Sequence, residues 1–331
     1  MSEPLTIALD AMGGDHGPAV SVPAALGMLD SHPELRIILV GQTEAIEPLL
    51  VSGAGERLRV VDARELVAMD DKPGDALRKK KDSSLRVAVN QVKDGAAHAC
   101  VSAGNTGALM ATGKFVLKML PGIDRPAIMA AIPTVQGHTH MLDLGANSDC
   151  TADHLFQFAV MGSVVSAVIE NIASPRVALL NIGEEEIKGN DTIRQAHAML
   201  SASKLNFVGF VEGDQVSRDR ADVIVCDGFT GNVALKVMEG TASLISHFIK
   251  QGFGRGLYGR FSGLVALPVL KGLRTSLDPR RYNGASLLGL NGIVVKSHGG
   301  ADQLAFQQAI RVAMLEVEKG VPQTINDMLS A

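Results

Sequence analysis

Residues 99–114 have the sequence Ala-Cys-Val-Ser-Ala-Gly-Asn-Thr-Gly-Ala-Leu-Met-Ala-Thr-Gly-Lys. A short apolar run ends at Ser102, a glycine turn follows at 104–107, and a helical pattern begins at Ala108. Strand, glycine turn and helix in this order predict free N–H groups and a positive dipole end at the helix start, which attract an anion. The glycines allow a phosphate to approach the backbone closely.

The same pattern recurs at 223–236, where Val-Ile-Val-Cys is followed by Gly-Phe-Thr-Gly at 228–231 and a helix. One such turn also fits a simple tight connection between strand and helix. Two turns of the form Gly-X-Thr-Gly favour anion binding. They predict one site that is approached from two sides.

The composition indicates a globular α/β protein. The chain has 331 residues, a formal charge of −4 and 46% hydrophobic residues, enough for a single domain over 1–331, in one body or as two lobes around a crevice. Near-neutral charge argues against a nucleic-acid partner. Three cysteines without ligand spacing predict no metal and reduced thiols. The absence of a signal-peptide pattern and of an apolar run of about 18–20 residues predicts a cytoplasmic protein.

Apolar strands alternate with helical patterns along the chain, which predicts a mostly parallel open sheet with helices on both faces. Polar, glycine-rich loops follow the strands. Because ligands bind at the carboxyl ends of strands in open α/β sheets, we expect these loops to share one edge and form one polar crevice. The seven loops are Asp10–Gly17, Ser102–Gly107, Asp143–Asp149, Asn181–Asp191, Glu212–Asp214, Asp227–Asn232 and Lys296–Asp302.

Two nucleotide-binding motifs are matched only superficially. Gly254-Arg-Gly-Leu-Tyr-Gly259 has the dinucleotide fingerprint but follows a helix instead of a strand. The segment from Gly107 to Lys114 is one residue too long for a P-loop, and Phe115 replaces the metal-binding hydroxyl. The sequence therefore predicts no NAD(P), no ATP and no other cofactor.

Taken in order, the loops resemble a known family. The motifs are Asp-Ala-Met-Gly-Gly-Asp at 10–15, Ser-Ala-Gly-Asn-Thr-Gly-Ala at 102–108, Asp-Leu-Gly-Ala-Asn at 143–147, Asn-Ile-Gly-Glu-Glu at 181–185 with Lys-Gly at 188–189, Cys-Asp-Gly-Phe-Thr-Gly-Asn at 226–232 and Val-Lys-Ser-His-Gly at 295–299. As a set they resemble bacterial acyl-acyl-carrier-protein:phosphate acyltransferases, the PlsX family. Asn-Gly-Ala-Ser at 283–286 stands where that family has Gly-Gly-Ala-Pro.

The resemblance implies a fold like phosphotransacetylases and isopropylmalate-type dehydrogenases, in a homodimer. It implies the reaction of an acyl carrier protein thioester with inorganic phosphate to give acyl phosphate for phospholipid synthesis, with a downstream glycerol-3-phosphate acyltransferase as the acceptor. Two alternatives stay open. One is a short-chain phosphotransacetylase or a decarboxylating dehydrogenase on the same fold, and the other is a non-enzymatic binder of lipid or carrier protein.

This chemistry needs no enzyme nucleophile, because phosphate itself attacks the thioester. Positioning and preorganised donors supply the catalysis. Cys226 is disfavoured as an acyl-enzyme nucleophile, since no base adjoins it. The expected phosphate-binding residues are Gly13, Gly14, Asp15, Ser102, Gly104, Asn105, Thr106, Gly107, Asn147, Gly183, Asp227, Gly228, Thr230 and Gly231.

Four residues are expected to be catalytic. Lys188 would neutralise phosphate or polarise the carbonyl, and Asn232 would donate to the oxyanion. His16 or His298 would protonate the leaving thiolate. Each also has a structural interpretation. Lys188 would be a solvated lysine, Asn232 would be a helix cap, and both histidines would have structural roles. Asp10, Asp15, Asp143 and Asp227 are expected to orient loops by accepting backbone N–H bonds.

Two surfaces are expected to bind partners. The basic run Arg78-Lys79-Lys80-Lys81 would dock an acidic carrier protein, or it is an ordinary solvated surface. The segment 250–280 is predicted to be a protruding amphipathic helical segment. Its tip residues Phe261, Leu264 and Leu267, flanked by basic side chains, would enter an anionic bilayer surface. Gly259, Gly263 and Pro268 are expected to break it into two short helices. The alternative is a helical hairpin buried in a dimer interface.

Overall fold

The computed structural model describes residues 4–50, 55–276 and 278–330. Residues 1–3, on which the signal-peptide prediction depends, lie outside them. The described residues form eleven strands: β1 Thr6–Asp10, β2 Arg36–Gly41, β3 Leu58–Asp62, β4 Ala99–Ser102, β5 Ala127–Thr134, β6 Gly137–Leu142, β7 Val177–Leu180, β8 Phe207–Val211, β9 Val223–Val225, β10 Ala285–Leu288 and β11 Ile293–Lys296.

Helices connect most of these strands. The described helices are α1 Pro18–Ser31, α2 Thr43–Ile46, α3 Pro73–Lys79, α4 Ser84–Lys93, α5 Thr106–Val116, α6 Ala152–Glu170, α7 Asp191–Ser201, α8 Gly228–Gly254, α9 Gly256–Ser276, α10 Gln303–Glu318 and α11 Val321–Ser330. Short 3₁₀ turns lie at Glu47–Leu49, Gly55–Arg57, Gly213–Gln215 and Pro279–Tyr282.

The strands of the described chain form one sheet in the order β3-β2-β1-β4-β11-β10-β5-β6-β9-β7-β8. Pairings are parallel from β3 to β11 and again from β6 to β8. The three pairings between these blocks, β11–β10, β10–β5 and β5–β6, are antiparallel. The predicted fold class, a mostly parallel open sheet, is confirmed.

The three antiparallel pairings reverse the direction of the sheet. An odd number of reversals makes β6, β7, β8 and β9 run opposite to β1, β4 and β11. The loops after β1, β4 and β11 therefore lie at one edge, which we call the upper edge. The loops after β6, β7, β8 and β9 lie at the other, the lower edge. The expectation that all seven loops share one edge is wrong, because it assumed a sheet of uniform direction.

Helices cover both faces of the sheet. In the first block, α4 and α5 pack on one face, and α1 and α10 pack on the other. In the second block, α6, α7 and α11 pack on a single face. Among the described helices only α6 is long and apolar enough to cross a membrane, and 67% of its apolar window is buried inside the protein. Helix α6 is therefore a core helix.

Helices α8 and α9 form a hairpin that leaves the body of the protein. Only the first part of α8 packs on the sheet, through Ala234, Leu235 and Met238. From 232 to 272 no residue is buried. The chain turns at Gly256, whose φ of +64° favours glycine. The expected break within the second helix is wrong: α9 continues through Gly259, Gly263 and Pro268, because the reversal falls before it.

Candidate active site

Three loops meet at the upper edge, and glycines bring them together. A Cβ atom on Gly13 would lie 2.7 Å from the backbone nitrogen of Gly104. A Cβ on Gly14 would lie 2.8 Å from the carbonyl oxygen of Gly299. The backbone N–H of Asp15 donates to that same oxygen at 2.9 Å. The loops after β1, β4 and β11 therefore form one contiguous group.

A buried carboxyl lies beneath these loops. Asp10 ends β1, and its Oδ2 accepts from the Ser102 hydroxyl at 2.6 Å. The Ser102 hydroxyl oxygen in turn accepts from the Gly104 N–H at 3.0 Å. Burial raises the pKa of Asp10, and backbone donors at Met12 and Gly13 oppose that rise. The expectation that Asp10 orients its loop is confirmed by these bonds.

Lys296 is the residue of this group that sequence reasoning missed. It ends β11 and is only 9% exposed. Its ammonium donates to the carbonyl oxygen of Ala103 at 3.2 Å and to that of Ser297. The pKa of Lys296 is lowered to about 8, chiefly by burial; Asp10 and Asp15 oppose this shift, and the charge of Lys236 adds a smaller lowering. A lysine that ends an apolar strand just before Ser-His-Gly-Gly was the available signal.

The first glycine turn is covered. Asn105 caps α5 by accepting from the Ala108 N–H at 3.0 Å. Its amide nitrogen lies 2.9 to 3.2 Å from the carbonyl oxygens of Ala68, Met69 and Asp71. A Cβ on Gly107 would lie 2.7 Å from Pro73 Cγ. The predicted cradle at 105–107 therefore lies at the upper edge beneath the segment 68–73.

Both predicted histidines lie at the upper edge and are exposed. The Nδ1 atom of His298 accepts from the Gly300 N–H at 3.1 Å. His16 borders a cavity of about 10 Å³, room for roughly one water molecule. The structure therefore places both rings at the solvent side of the loop group that holds Lys296.

At the lower edge a second buried carboxylate organises the backbone. Asp143 accepts from the N–H groups of Ile128 at 3.0 Å, Ala146 at 2.9 Å and Asn147 at 2.7 Å. Burial raises the pKa of Asp143, and these donors oppose the rise. A Cβ on Gly231 would overlap the Asp143 carbonyl oxygen, so glycine is required there. This confirms the loop-orienting interpretation of Asp143.

The second glycine turn starts α8 with a charged cap. Asp227 accepts from the N–H of Thr230 at 2.8 Å and from its hydroxyl at 2.7 Å. A carboxylate here already satisfies the positive helix end and repels a second anion. Beside it lies a cavity of about 380 Å³, lined in part by Ser148, Cys150, Asn190 and Phe229.

The other two predicted catalytic residues, Lys188 and Asn232, follow strands that end at the lower edge. Lys188 is exposed in the loop after β7, where its backbone N–H donates to the carbonyl oxygen of Glu185 at 2.9 Å. Asn232 is exposed on α8 beside Gly145. Asn232 and Lys236 are four residues apart and share one face of α8. Asn232 lies against the lower-edge loop that follows β6. Lys188 stays in the lower-edge loops, with Gly183 and Asn147.

The remaining sequence predictions concern cysteines and nucleotide motifs. Burial raises the pKa of the Cys226 thiol well above its usual range, which argues against a thiolate nucleophile. The segment Gly254–Gly259 contains the last residue of α8, the turn at Arg255 and the first residues of α9. A dinucleotide fingerprint needs a strand before it, so this match carries no cofactor site.

The basic run lies at the end of α3. Arg78 and Lys79 both approach Asp75, at 3.0 and 3.5 Å, with most of each side chain exposed. Lys80 donates to Asp71 and to the Leu66 carbonyl oxygen. Lys81 is exposed. Part of the positive charge is thus neutralised within the protein.

Comparison with known proteins places the chain among phosphate acyltransferases. The family model described as "Fatty acid synthesis protein" matches residues 5–324. A phosphate acyltransferase from Alkalilimnicola ehrlichii is 62% identical, with 100% of this chain and 98% of that protein covered. One from Methylococcus capsulatus is 59% identical, with 98% and 97% covered. In solved structures, a phosphotransacetylase from Streptococcus pyogenes aligns with a TM-score of 0.62 at 18% identity, covering 96% of this chain and 95% of that one.

Proposed function

The chain belongs to the fatty acid synthesis protein family and is an acyltransferase of the phosphate acyltransferase type, and from this premise we propose that it makes acyl phosphate from a long-chain acyl carrier protein and inorganic phosphate. The observation that carries the proposal is the buried ammonium of Lys296, which donates to the Ala103 carbonyl oxygen where the glycine loops of the upper edge meet. A buried cation beside glycine backbone is a suitable environment for a multiply charged anion.

The proposed reaction balances without a covalent enzyme intermediate. A phosphate oxygen attacks the thioester carbonyl carbon and forms the new C–O bond. The C–S bond then breaks, and the thiolate leaves and takes a proton. His16 or His298, both exposed at the upper edge, is proposed to supply that proton. No acyl-cysteine is needed, and burial keeps the Cys100 and Cys226 thiols protonated.

Phosphate is proposed to bind at the upper edge. The Asn105 cap adds no negative charge to the start of α5, whereas the Asp227 cap adds a carboxylate to the start of α8. Lys296 adds a positive charge from below. Asn232, on the Lys236 face of α8, is proposed to donate to the developing oxyanion. Lys188 is proposed to act from the lower-edge loop on the acyl carrier side of the substrate.

The test is a product assay on the purified chain. Palmitoyl-acyl carrier protein with phosphate should yield palmitoyl phosphate and free carrier thiol in equal amounts. Acetyl phosphate from acetyl-CoA as the preferred product would support the short-chain alternative. Binding of the carrier protein without turnover would support the non-enzymatic alternative. Thr106→Val should raise the phosphate concentration needed for half-maximal rate, and it is the cleaner probe because a side chain at Gly107 would meet Pro73.

The acyl carrier protein is proposed to dock near α3. Carrier proteins are acidic, and Lys79 and Lys81 offer exposed positive charge beside the segment that covers the first glycine turn. Lys80 is engaged with Asp71, so it stabilises this segment more than it contacts a partner. An ordinary solvated surface is the alternative, and it predicts a carrier KM that does not respond to charge reversal at 79 and 81.

The α8–α9 hairpin is proposed to bind an anionic membrane surface, and a homodimer interface is the alternative. Large apolar side chains are exposed along both helices, among them Val237, Phe248, Phe261 and Leu264. An apolar surface of this kind marks a protein or membrane contact. A long-chain acyl phosphate is amphiphilic, so a cytoplasmic enzyme bound peripherally to the bilayer could pass it to a glycerol-3-phosphate acyltransferase there.

A further inference from the structure

Three metal-ligating side chains come together at the start of β6, outside the proposed active site. His138 and His140 are two residues apart on β6 and therefore face the same side. Glu170 is the last residue of α6. The His138 Nε2 atom lies 3.0 Å from Glu170 Oε1, and the His140 Nε2 atom lies 3.8 Å from it. We propose that these three residues, the imidazole cluster, bind one divalent transition-metal ion such as Zn²⁺.

The distances suit such an ion. Two ligands at the usual Zn–N and Zn–O lengths in a tetrahedral site are about 3.3 Å apart. The two separations from Glu170 fall on either side of that value, and all three ligand atoms lie within 4.8 Å of one another. Two imidazoles and one carboxylate leave a coordination position for water. Imidazole ligands favour Zn²⁺, Co²⁺ or Ni²⁺ over Mg²⁺ and Ca²⁺.

The surroundings also favour a cation. Glu170 lies at the carboxyl end of the 19-residue helix α6, where the helix dipole is negative. Asp222 also carries negative charge near His140, but both of its oxygens accept from Arg176, so it is not counted among the ligands. The His140 side chain is only 8% exposed, whereas His138 and Glu170 are about one-third exposed, so an ion can enter from the solvent.

A bound ion would join the end of α6 to the start of β6. The other end of β6 leads directly into the loop that Asp143 organises. The proposed effect is therefore structural, on the position of that strand, and independent of the phosphate chemistry.

The test uses Co²⁺ as a spectroscopic probe on the full chain after removal of metals with a chelator. We expect one Co²⁺ per chain, visible d–d absorption of a four- or five-coordinate ion, displacement by Zn²⁺, and a higher melting temperature with either metal. His140→Ala and Glu170→Gln should each lower the Co²⁺ affinity at least about tenfold. Glu170→Gln keeps a hydrogen-bonding group opposite His138, so it separates loss of the ligand from loss of packing.

The matched control is His247→Ala, which removes an exposed histidine on α8 and should leave Co²⁺ binding unchanged. Should His140→Ala fail to fold, His138→Gln removes a more exposed ligand of the same cluster. The proposal is overturned by the absence of stoichiometric binding, by affinity that survives His138→Gln and Glu170→Gln, or by a sulfur-to-cobalt charge-transfer band, which would place the ion at a cysteine.

Discussion

At the upper edge, the glycine turn after β4 begins its helix with the neutral Asn105, and the ammonium of Lys296 lies in the same loop group. At the lower edge, the glycine turn after β9 begins its helix with the carboxylate of Asp227, and the buried carboxylate of Asp143 lies beside it. The two turns share the pattern Gly-X-Thr-Gly. One edge combines a helix dipole with positive charge, and the other satisfies the dipole internally.

The difference shows that the glycine pattern determines the path of the backbone, while the capping residue and its neighbours determine the charge that a ligand meets. A neutral cap leaves the positive helix end for an external anion, whereas a carboxylate cap uses it. The two turns therefore differ in the charge that they present to a ligand. Helix α8 starts at Asp227, and its Asn232 lies against the loop after β6 at Gly145.

The largest expected effects are on turnover. Lys296→Met should raise the KM for phosphate roughly a hundredfold, because it removes the positive charge of the upper edge. Asn232→Ala and Lys188→Ala should each lower kcat roughly a hundredfold if they stabilise developing charge. Steady-state assays at varied phosphate measure all three. Lys93→Met, which removes an exposed lysine on α4, is the matched control and should leave both constants unchanged.

These variants also show which edge of the sheet carries the chemistry. Native turnover in Lys188→Ala, together with a strong defect in Asn232→Ala, would restrict the chemistry to the upper edge and the Asn232–Lys236 face of α8. A Lys296→Met enzyme with normal phosphate dependence would contradict the upper-edge phosphate site.

Local signals in the sequence predicted most strands and helices, because buried parallel strands are short apolar runs and glycine turns punctuate them. The run Cys-Val-Ser after Ala99 is wholly buried in β4 as expected. The sequence analysis missed β10, whose four residues Ala-Ser-Leu-Leu carry no alternation, and with it the reversal of the sheet. Strand direction depends on pairings between distant segments, and a single sequence does not encode those in any local pattern.

The candidate site was predictable to a similar extent. The loops that contain it follow from the rule on strand ends, and Asn105, Thr230 and Asp143 lie where the motifs indicated. The burial of Lys296 was not predictable, because it depends on three loops closing over one side chain. The covering of Gly107 by Pro73 joins residues 34 positions apart, and no local pattern reports it.

A buried acid lies against the antiparallel strand β10, and its ionisation makes the free energy of unfolding depend on pH. Glu316 of α10 accepts from the Ser286 hydroxyl of β10, and burial raises the pKa of Glu316 from 4.5 to about 7. The folded state therefore holds a proton that the unfolded state releases between these values, so this group lowers stability as pH rises from 4.5 to 7. Glu316→Gln should raise the free energy of unfolding by about 3 kcal/mol at pH 8 and by little at pH 4.5.

Urea unfolding at both pH values measures this effect. Glu318→Gln is the matched control, since Glu318 is exposed on the same helix. An equal gain at both pH values would show that the carboxyl of Glu316 is not the group that titrates.

Removal of the Asn105 cap and removal of the Asp227 cap should lower the free energy of unfolding by different amounts. Asn105→Ala removes the cap of α5 and leaves carbonyl oxygens of the segment 68–73 without their donor, at an expected cost of about 2–3 kcal/mol. Asp227→Ala removes a partly exposed cap, at an expected cost of about 1 kcal/mol. Denaturant unfolding of the two variants compares them directly. Equal costs would mean that the cover over the first turn adds nothing to stability.

The smallest expected effect on catalysis belongs to the hairpin that continues from α8. Leu264 and Leu267 are 65% and 42% exposed, so Leu264→Glu with Leu267→Glu should leave the core intact and acyl transfer in solution largely unchanged. If the tip enters an anionic surface, the double variant should lose most of its co-sedimentation with phosphatidylglycerol vesicles, and salt should weaken binding of the native chain. Gln251→Glu with Ser246→Glu adds the same charge to the hairpin without removing apolar area, and it should retain more binding. Sedimentation analysis of the oligomer is run in parallel. The membrane proposal is contradicted if the native protein does not bind the vesicles at low salt. It is also contradicted if the double variant dissociates a dimer, because the apolar surface would then be a contact between two chains.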